Sequence, residues 1–371
     1  MSVLSCEGIV RGIRKVMSKP YVSVLIDTYN HERFIEQAIT SVLEQDRSMA
    51  DVEIVVVDDG STDRTPEIVR SFEPRVRLLR KPNGGQGSAF NTGIPECGGE
   101  IIAFLDGDDW WAKGKLRRVV EVMSANPLVG LVGHGIVESF GEGVERIQAP
   151  EKEERMRLDS LAAARVFRLR RSYLGTSRMT LRANVARQIL PVPEALVIEA
   201  DEYLFTLAAA LSDMILVQEP LSHYRIHPGN LYLSAARSRD SLKRKQRVMA
   251  ALAEVLNQRL RAFGVPAEAV ECIVEIVQAD ADQMRLMLDG GAPWETVRVE
   301  QKIYEAHHAD APLTHRIFRT ATMIPALLLP PRWFYRGRRW LASRNWYLSA
   351  RKRVLPVPRI AGVARPKEFK V

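Results

Sequence analysis

Residues 99–111 read GEIIAFLDGDDWW and combine a strand with an acidic turn. The apolar run at residues 101–105 is typical of a strand that is buried on both faces. It leads directly into Asp106, Asp108 and Asp109, three carboxylates that repel one another unless a cation lies among them. Hard oxygen ligands suit Mg²⁺ or Mn²⁺. The stretch therefore predicts a strand that ends in a metal site, although a solvated acidic turn has the same pattern.

The sequence around this strand alternates short β-branched runs with amphipathic stretches, which is typical of βαβ units and a mostly parallel sheet. The predicted strands are residues 22–26, 54–57, 76–79, 101–105 and 128–132. An apolar stripe at Ile35, Ile39, Val42 and Leu43 predicts a helix after the first strand. A second helix is predicted to begin at Thr65, because proline follows this cap residue. Ligands of such sheets bind beyond the carboxyl ends of the strands.

Polar clusters follow the first two strands at that edge. Thr28, Tyr29 and Asn30 follow the first strand, and Asp59 follows the second. The Asp59 carboxylate is a suitable acceptor for the imide N–H of a uracil-like base or for a ribose hydroxyl. A pair of Asx turns that close strand-to-helix loops is the alternative.

The third loop is rich in glycine and reads KPNGGQGSAFNTG over residues 81–93. Its glycines allow the backbone to approach a ligand, and a helix that starts near Ser88 would direct its N–H groups toward anionic or polar groups. The candidate donor contacts are Asn83, Gly84, Gly85 and Asn91. The loop is not a dinucleotide fingerprint, because it does not follow the first strand and its glycine spacing differs.

Together these four segments resemble the family-2 glycosyltransferases, whose N-terminal halves have the same order of motifs. The resemblance rests on VSVLIDTYNHERFIEQAITSVLEQ (22–45), EIVVVDDGSTDRT (53–65), NGGQGSAFNTGI (83–94) and GEIIAFLDGDDWW (99–111). It is strong over about residues 20–135 and looser over 136–234. It implies a GT-A type, Rossmann-like α/β fold with a mostly parallel sheet flanked by helices.

The resemblance also implies roles for single residues. Those implied to hold the nucleoside are Thr28, Tyr29 and Asp59. Asp106 and Asp108 would form the D-x-D motif that contacts ribose, metal and diphosphate, with Asp109 beside them. Many relatives have arginine where this chain has Phe90, so a cationic contact to the donor is missing or supplied elsewhere.

The acceptor side requires a general base. In the family, a carboxylate opens a helix after the donor half, before an apolar pair that Leu204 and Phe205 match here. This alignment makes Asp201 the candidate base, with Glu199 and Glu202 as competitors. A helix N-terminus also favours acidic residues that have no catalytic purpose.

A further segment resembles the Tyr-Arg-x-His sequence that many of these enzymes have near the diphosphate. Here it begins at Tyr224, so Arg225 is a candidate phosphate clamp and His227 a candidate metal or phosphate ligand. A structural loop histidine is the alternative for His227. His223 is interpreted as structural.

The pattern divides the chain into five parts. They are an N-terminal extension (1–20), a donor half (21–135), an acceptor half (136–234), a helical extension (235–310) and a tail (311–371). Residues 138–165 are predicted to be a loop and a connecting helix. Three widely spaced cysteines, Cys6, Cys97 and Cys272, fit neither a zinc pattern nor a disulfide framework. With no predicted membrane span or signal peptide, we expect reduced thiols and a cytoplasmic protein.

The tail is strongly basic. Between Ala311 and Pro366 there are twelve Lys or Arg residues and no Asp or Glu. Residues 311–371 carry a formal charge of +13, whereas the whole chain carries +8. The other 310 residues therefore carry −5. Arginines alternate with aromatic residues over 313–353, which favours binding to the anionic inner face of the cytoplasmic membrane. Alternatives are a docking helix or single-stranded nucleic acid, although no nucleic-acid-binding motif accompanies the pattern.

These features predict a metal-dependent, inverting glycosyltransferase. It would transfer a sugar from a nucleotide-diphosphate donor, UDP-linked by resemblance, to the hydroxyl of a saccharide or lipid-linked acceptor in cell-surface polysaccharide or glycolipid synthesis. The rival interpretations are a sugar-phosphate nucleotidyltransferase and a non-catalytic, membrane-associated nucleotide-sugar-binding protein.

Overall fold

One mixed sheet lies at the centre of the computed structural model, which describes residues 19–140, 143–227, 229–230, 238–308 and 313–342. Its strands are β1 (Tyr21–Thr28), β2 (Asp51–Asp58), β3 (Arg77–Arg80), β4 (Ile101–Asp106), β5 (Trp110–Trp111), β6 (Val129–Ser139), β7 (Glu145–Gln148), β8 (Glu154–Met156), β9 (Met179–Arg182) and β10 (Asp213–Arg225). The helices that flank it or follow it are α1 (Ile35–Leu43), α2 (Thr65–Arg70), α3 (Gln86–Glu96), α4 (Lys115–Ala125), α5 (Leu161–Arg170), α6 (Ala183–Ile189), α7 (Ala200–Leu211), α8 (Arg239–Ala262), α9 (Ala267–Asp289), α10 (Pro293–His308), α11 (Leu313–Leu328) and α12 (Pro331–Ala342).

The strand order is β3-β2-β1-β4-β9-β6-β10-β5, with β7 added on β6 and β8 on β10. Strands β3, β2, β1 and β4 are parallel to one another, and so are β6 and β10. The antiparallel strand β9 pairs with both β4 and β6 and so joins the two parallel groups. The predicted α/β fold with a mostly parallel central sheet and a helical C-terminal region is confirmed.

Some local predictions need correction. Strand β6 continues to Ser139, well beyond the predicted end at residue 132. Residues 138–165, predicted as a loop and a connecting helix, also contain β7 and β8. These strands have four and three residues, too few for an alternating pattern to stand out from the charged sequence. Helix α3 begins at Gln86, slightly before the predicted start near Ser88.

The sheet has an apolar layer on each face, because successive strand residues point to opposite sides. Helices α1, α2 and α4 pack on the side of Val24 and Ile26. The predicted stripe on α1 is buried there, with Ile35 and Ile39 fully inaccessible to solvent. Helices α3, α6 and α7 pack on the other side, where Leu25 and Phe104 lie. This arrangement leaves the carboxyl ends of β1, β2 and β4 at one edge of the layered domain.

The helical extension shares the second of these layers. The core around Tyr203 and Phe205 of α7 continues into Leu252 and Leu256 of α8 and into Ile273 of α9. The sheet domain and the helical extension therefore have one continuous core. Cys97 and Cys272 lie in it as buried free thiols, and Cys6 lies outside the described residues.

The first part of the tail packs on the extension. Phe334 and Tyr335 of α12 are buried with Met323 and Ala326 of α11. The residues of the tail after Ala342 lie outside the described part of the chain. Among the helices that the structure describes, none combines the length and the apolar content needed to cross a membrane.

The close approach of α3 to the sheet leads to a stability prediction. A Cβ at Gly93 would lie 2.8 Å from Val57 Cγ2 and closer still to Leu25. We expect Gly93→Ala to lower the free energy of unfolding by about 1–3 kcal/mol, since both neighbours are held in a packed core. Urea denaturation measures the change. The control is Gly337→Ala in α12, where nothing lies within 4 Å of the added Cβ and helix propensity favours alanine by about 1 kcal/mol. Equal unfolding midpoints for Gly93→Ala and the unaltered chain would contradict the close contact.

Candidate active site

The predicted polar clusters meet at the carboxyl ends of neighbouring strands. Strands β1 and β4 are parallel and adjacent, and their register places Asp27 opposite Asp106. The first residues beyond β4 bring Asp108 and Asp109 to the same edge. Asp27 had no role in the sequence prediction, although it begins the polar cluster after β1.

The four carboxylates are buried together. Burial and the charge of Asp108 raise the pKa of Asp27 to about 8. Burial and the neighbouring carboxylates also raise the pKa of Asp106 and of Asp109 well above the usual range. Asp27 Oδ1 is buried with no hydrogen-bond partner in the described structure. The cluster therefore has more potential negative charge than its protein neighbours neutralise.

Asp108 is the best-paired member of this cluster. Its Oδ2 lies 3.0 Å from His227 Nε2 and 3.8 Å from His31 Nε2. Burial acts to raise the pKa of Asp108, but the hydrogen bond from His227 and the charge of His31 outweigh it, so the pKa is lowered. Because the Gly229 N–H donates to His227 Nδ1 at 3.2 Å, the His227 proton lies on Nε2 and is donated to Asp108. His31 was not among the predicted site residues, because the sequence indicates a site there only through its place after Asn30.

Asp109 is held by the backbone of β10. Its Oδ1 accepts a hydrogen bond from the Arg225 N–H at 3.0 Å. The fully buried Lys115 lies in the layer beneath, where Nζ donates to Ser177 O at 2.9 Å and to Ser222 Oγ at 3.1 Å. The charge of Asp109 favours the protonated form of Lys115, while burial lowers the Lys115 pKa.

The Arg225 side chain is stacked between two rings. Its guanidinium carbon lies 4.8 Å from the Phe34 ring centre and 4.5 Å from that of Trp110. Its Nε donates to Asp108 O at 2.9 Å, which fixes the guanidinium beside the acidic turn. His223 stacks on Trp110 with ring centres 4.7 Å apart, in agreement with a structural role. A cavity of about 420 Å³ is lined in part by Arg225 and His227.

Asn30 joins the loops that follow β1 and β2. It adopts a left-handed conformation (φ 56°), its N–H donates to Ser61 Oγ, and its Oδ1 accepts from the Thr62 N–H at 2.8 Å. Thr28 is buried, whereas Tyr29 is exposed at the surface of the loop. The hydrogen bonds of Asn30 therefore have a structural function, and contact of these three residues with a nucleoside stays a prediction.

Asp59 organises the glycine-rich loop. Its Oδ1 accepts from the Gly84 N–H at 2.9 Å and from Lys81 Nζ, and its Oδ2 accepts from the Gly85 N–H at 2.7 Å. Gly85 has φ +82°, and a Cβ there would lie 2.5 Å from Val197 O, so only glycine fits. Asn83 is exposed beside them. These three bonds use most of the lone pairs of the Asp59 carboxylate. Binding of a nucleoside by Asp59 stays a prediction.

Two residues of α3 face inward. The Asn91 side chain donates to Val192 O and accepts from Val192 N–H, at 2.8 and 2.7 Å. These bonds give Asn91 a structural role, and its contact with a donor stays a prediction. Phe90 is fully buried and packs edge-on against Phe104. Phe90 is therefore a core residue, and the replacement of the family's arginine leaves the predicted cationic contact either missing or supplied from another position.

Asp201 lies in the first turn of α7. Its Oδ1 accepts from the Glu202 N–H at 2.8 Å and its Oδ2 from the Thr176 N–H at 3.3 Å. Burial and the charge of Glu199 raise the pKa of Asp201 to about 7. Among the described residues, only backbone N–H groups, and no cationic side chain, bond to this carboxylate.

The two competing carboxylates have cationic partners. Glu199 pairs with Lys245 of α8 at 2.8 Å, and Glu202 pairs with Arg171 at 2.5 Å. Arg171 also bonds Asp280 of α9 at 3.1 Å. The helical extension therefore holds both residues that flank Asp201.

A short segment before β9 connects the acidic turn to Asp201. The Asp106 N–H donates to Ser177 Oγ at 3.0 Å, and the preceding residue, Thr176, bonds Asp201 as above. Gln86 at the start of α3 strengthens the junction, since Nε2 donates to Thr176 Oγ1 and Oε1 accepts from the Ala200 N–H. None of these three residues was predicted, because nothing in the sequence near Thr176 indicates a contact with residues so distant along the chain.

Within the described part of the chain, no group of three or more His, Cys, Asp and Glu side chains is arranged to hold a metal ion by itself. The predicted ligands do not form such a site: His227 Nε2 bonds Asp108, and Asp109 bonds a backbone N–H. Mg²⁺ at nucleotide sites, however, is bound by one or two carboxylates together with substrate phosphates. The unpartnered Asp27 oxygen and the raised pKa of Asp106 fit a cation that a phosphate-bearing ligand helps to hold.

Comparison with known proteins agrees with this architecture. An uncharacterised glycosyltransferase of Nostoc sp. is 33% identical over 250 residues, which cover 65% of this chain and 75% of that protein. A Bacillus subtilis glycosyltransferase, which its name provisionally assigns to teichuronic acid biosynthesis, is 34% identical over 139 residues, 36% of this chain and 54% of its own. The crystal structure of S. aureus TarS 1-349 in complex with UDP-GlcNAc has a TM-score of 0.50 at 20% identity, over 77% of this chain and 89% of that one, and shares its fold.

A sequence profile described as "Glycosyl transferase family 2" matches residues 23–187, which span β1 to α6 and contain the whole acidic cluster. The Nostoc relative, three quarters of which aligns with this chain, is likewise a glycosyltransferase by name. The chain belongs to glycosyl transferase family 2 and has its GT-A fold.

Proposed function

We propose that this glycosyltransferase moves a sugar from a nucleoside-diphosphate donor to an acceptor hydroxyl in one displacement that inverts the anomeric carbon. The observation that supports it is the short segment at Thr176 and Ser177, which bonds Asp201 through one residue and Asp106 through the next. A candidate base and a candidate diphosphate site are thereby fixed relative to each other, as a direct displacement requires.

On the donor side, the nucleoside would lie against the loops after β1, β2 and β3. Thr28, Tyr29 and Asp59 are the candidate nucleoside contacts, and Asn30, Gly84 and Gly85 shape the loops around it. A divalent cation, Mg²⁺ or Mn²⁺, would be held by Asp108 with Asp106 or Asp109 and would neutralise charge on the leaving diphosphate. His227 keeps Asp108 ionised and oriented, and the stacked Arg225 presents its guanidinium to the same phosphates.

On the acceptor side, Asp201 would remove the proton of the attacking hydroxyl. The new bond forms between that oxygen and the anomeric carbon as the bond to the diphosphate oxygen breaks. A base has to be free to accept a proton, and Glu199 and Glu202 are instead committed to Lys245 and Arg171. The proposed assignment is therefore Asp201 as base, with Arg171 and Lys245 as positioning residues.

The donor nucleotide and the pathway follow from the relatives only as proposals. The S. aureus protein of the same fold forms a complex with UDP-GlcNAc, and the name of the Bacillus subtilis relative refers to teichuronic acid biosynthesis. We propose a UDP-linked hexose donor and a saccharide or lipid-linked acceptor in surface polysaccharide or glycolipid synthesis. A nucleotidyltransferase is disfavoured, since the loop after β1 lacks the glycine-rich, basic sequence that such an enzyme uses.

Asp108→Asn tests the cation site. Loss of one charged ligand should lower Mn²⁺-dependent donor hydrolysis or transfer by about 100-fold or more, because the cation contributes several kcal/mol to stabilising the leaving group. The control is Asp46→Asn, an exposed carboxylate that bonds only to Ser48 in the described structure. Full activity of Asp108→Asn would remove this residue from the proposal.

Donor binding can be measured without turnover. A UDP-sugar with Mn²⁺ should raise the melting temperature by several degrees, since ligand at 100 times its Kd adds about 2.7 kcal/mol of stability. The Asp108→Asn variant should lose the part of the shift that depends on Mn²⁺. A panel with UDP-, GDP- and TDP-sugars identifies the nucleobase of the donor. A melting-temperature shift with GDP-sugars alone would exclude the UDP assignment.

Asp201→Asn tests the base. We expect kcat to fall by about 10²–10⁴-fold with the donor Kd unchanged, because a general base acts in the transition state. Glu199→Gln and Glu202→Gln are the matched controls and should retain most of kcat. A large loss in one of these controls, with an active Asp201→Asn variant, would reassign the base.

The unaltered chain tests the non-catalytic alternative. Donor binding without turnover, over a broad panel of acceptors, would favour a nucleotide-sugar-binding protein over an enzyme.

A further inference from the structure

Helices α11 and α12 have one face that is committed to the body of the protein. Glu300 of α10 is almost completely buried, and its Oε2 accepts from Arg319 of α11 and Arg338 of α12, each at 2.5 Å. Phe334 and Tyr335 are buried in one apolar cluster with Val299 of α10. Two helices from a basic tail are therefore held in a defined orientation, and their opposite sides face outward.

The outward side is apolar to an unusual degree. Its exposed large side chains are Ile317, Ile324, Leu327, Leu328, Leu329, Trp333 and Trp340. Ile317, Ile324 and Leu328 are seven and four residues apart, so they form one stripe along α11. Leu328 is 76% exposed and Trp333 is 64% exposed, values that a packed core does not allow. We call these seven residues the α11–α12 face.

Arginines border this face. Arg332, Arg336 and Arg339 are exposed on α12, and the Arg336 guanidinium carbon lies 6.0 Å from the Trp333 ring centre. The sequence has no Asp or Glu between Ala311 and Pro366 to oppose them. Aliphatic tips, indole rings and arginines are thus presented together on the same side of the protein.

We propose that the α11–α12 face binds the surface of an anionic lipid bilayer. The indoles and leucines would insert to headgroup depth, while the arginines contact lipid phosphates. Charge complementarity requires an anionic partner, and the apolar side chains favour a bilayer over a single-stranded nucleic acid, which would not cover the exposed leucines and isoleucines. The surface is separate from the candidate active site, so the inference does not depend on the proposed reaction.

The test is co-sedimentation of the full chain with vesicles, without donor or acceptor. One set contains phosphatidylglycerol and phosphatidylcholine in equal parts, and the other contains phosphatidylcholine alone. We expect binding to the anionic vesicles at low salt, and weakening at 1 M salt, where the Debye length is about 3 Å. Binding to neither set, or equal binding to both, would overturn the proposal.

Variants assign the binding to the face. Changing Arg332, Arg336 and Arg339 together to Gln should lower the partition coefficient by about 100-fold, since each cation near an anionic surface contributes about 1 kcal/mol, or roughly fivefold. The pair Leu328→Ala and Trp333→Ala should also reduce it. All these side chains are exposed, so the melting temperature should not change.

Matched controls use equivalent residues elsewhere. Trp294→Ala removes a tryptophan of α10 that is 56% exposed, and Arg70, Arg117 and Arg261 changed together to Gln remove the same charge from the body. Both should bind as the unaltered chain does. If the face variants bind normally, residues 343–371 or another surface is responsible and the proposal is wrong. It is also wrong if sedimentation equilibrium shows self-association that Leu328→Ala with Trp333→Ala abolishes, because the face then joins two copies of the chain.

Discussion

The mutual repulsion of buried carboxylates is the constraint on which the candidate site depends. Parallel pairing of β1 with β4 sets Asp27 beside Asp106, and the turn after β4 adds Asp108 and Asp109. Burying such charges is unfavourable unless each is protonated, paired or bound to a cation. The protein provides only part of the compensation, through His227 at Asp108 and a backbone N–H at Asp109. The divalent cation of the proposed function would supply the missing positive charge, with the donor diphosphate as its further ligand.

The two halves of the sheet domain and the helical extension share one core, and this shared core positions the residues that hold the carboxylates. Ser177, just before the strand β9 that joins the two parallel groups of the sheet, fixes Asp106, and the adjacent Thr176 fixes Asp201. Lys245 of α8 and Asp280 of α9 then hold Glu199 and, through Arg171, Glu202. Without these partners three acidic groups would compete around the start of α7. The extension thus helps to pair Glu199 and Glu202 with cations, whereas Asp201, the proposed base, bonds only to backbone N–H groups within the described structure.

The sequence predicts those parts of this arrangement whose signals are local. Strands β1 to β4 and helix α1 have long apolar patterns, and the D-x-D turn has its three acids in one stretch. Contacts between distant segments leave no such pattern, so Thr176, Ser177 and His31 were missed. For the same reason the sequence does not show that Asn91 pairs with the Val192 backbone, because the two segments are 101 residues apart. Strands β7 and β8 are too short to show a period.

The tail shows how one helical sequence can satisfy two partners that the pattern presents as alternatives. Docking to the body and binding to a membrane both call for aromatic and basic residues, and the composition does not separate them. The helical phase does: Phe334 and Tyr335 are buried and Arg338 bonds Glu300, whereas Trp333 and Trp340, seven residues apart, are exposed. A helix that only docked would have no reason to expose its tryptophans, and one that only bound lipid would need no buried carboxylate to fix its angle. Because Glu300 sets that angle, contact of the opposite face with a bilayer would orient the whole catalytic domain with respect to the lipid surface.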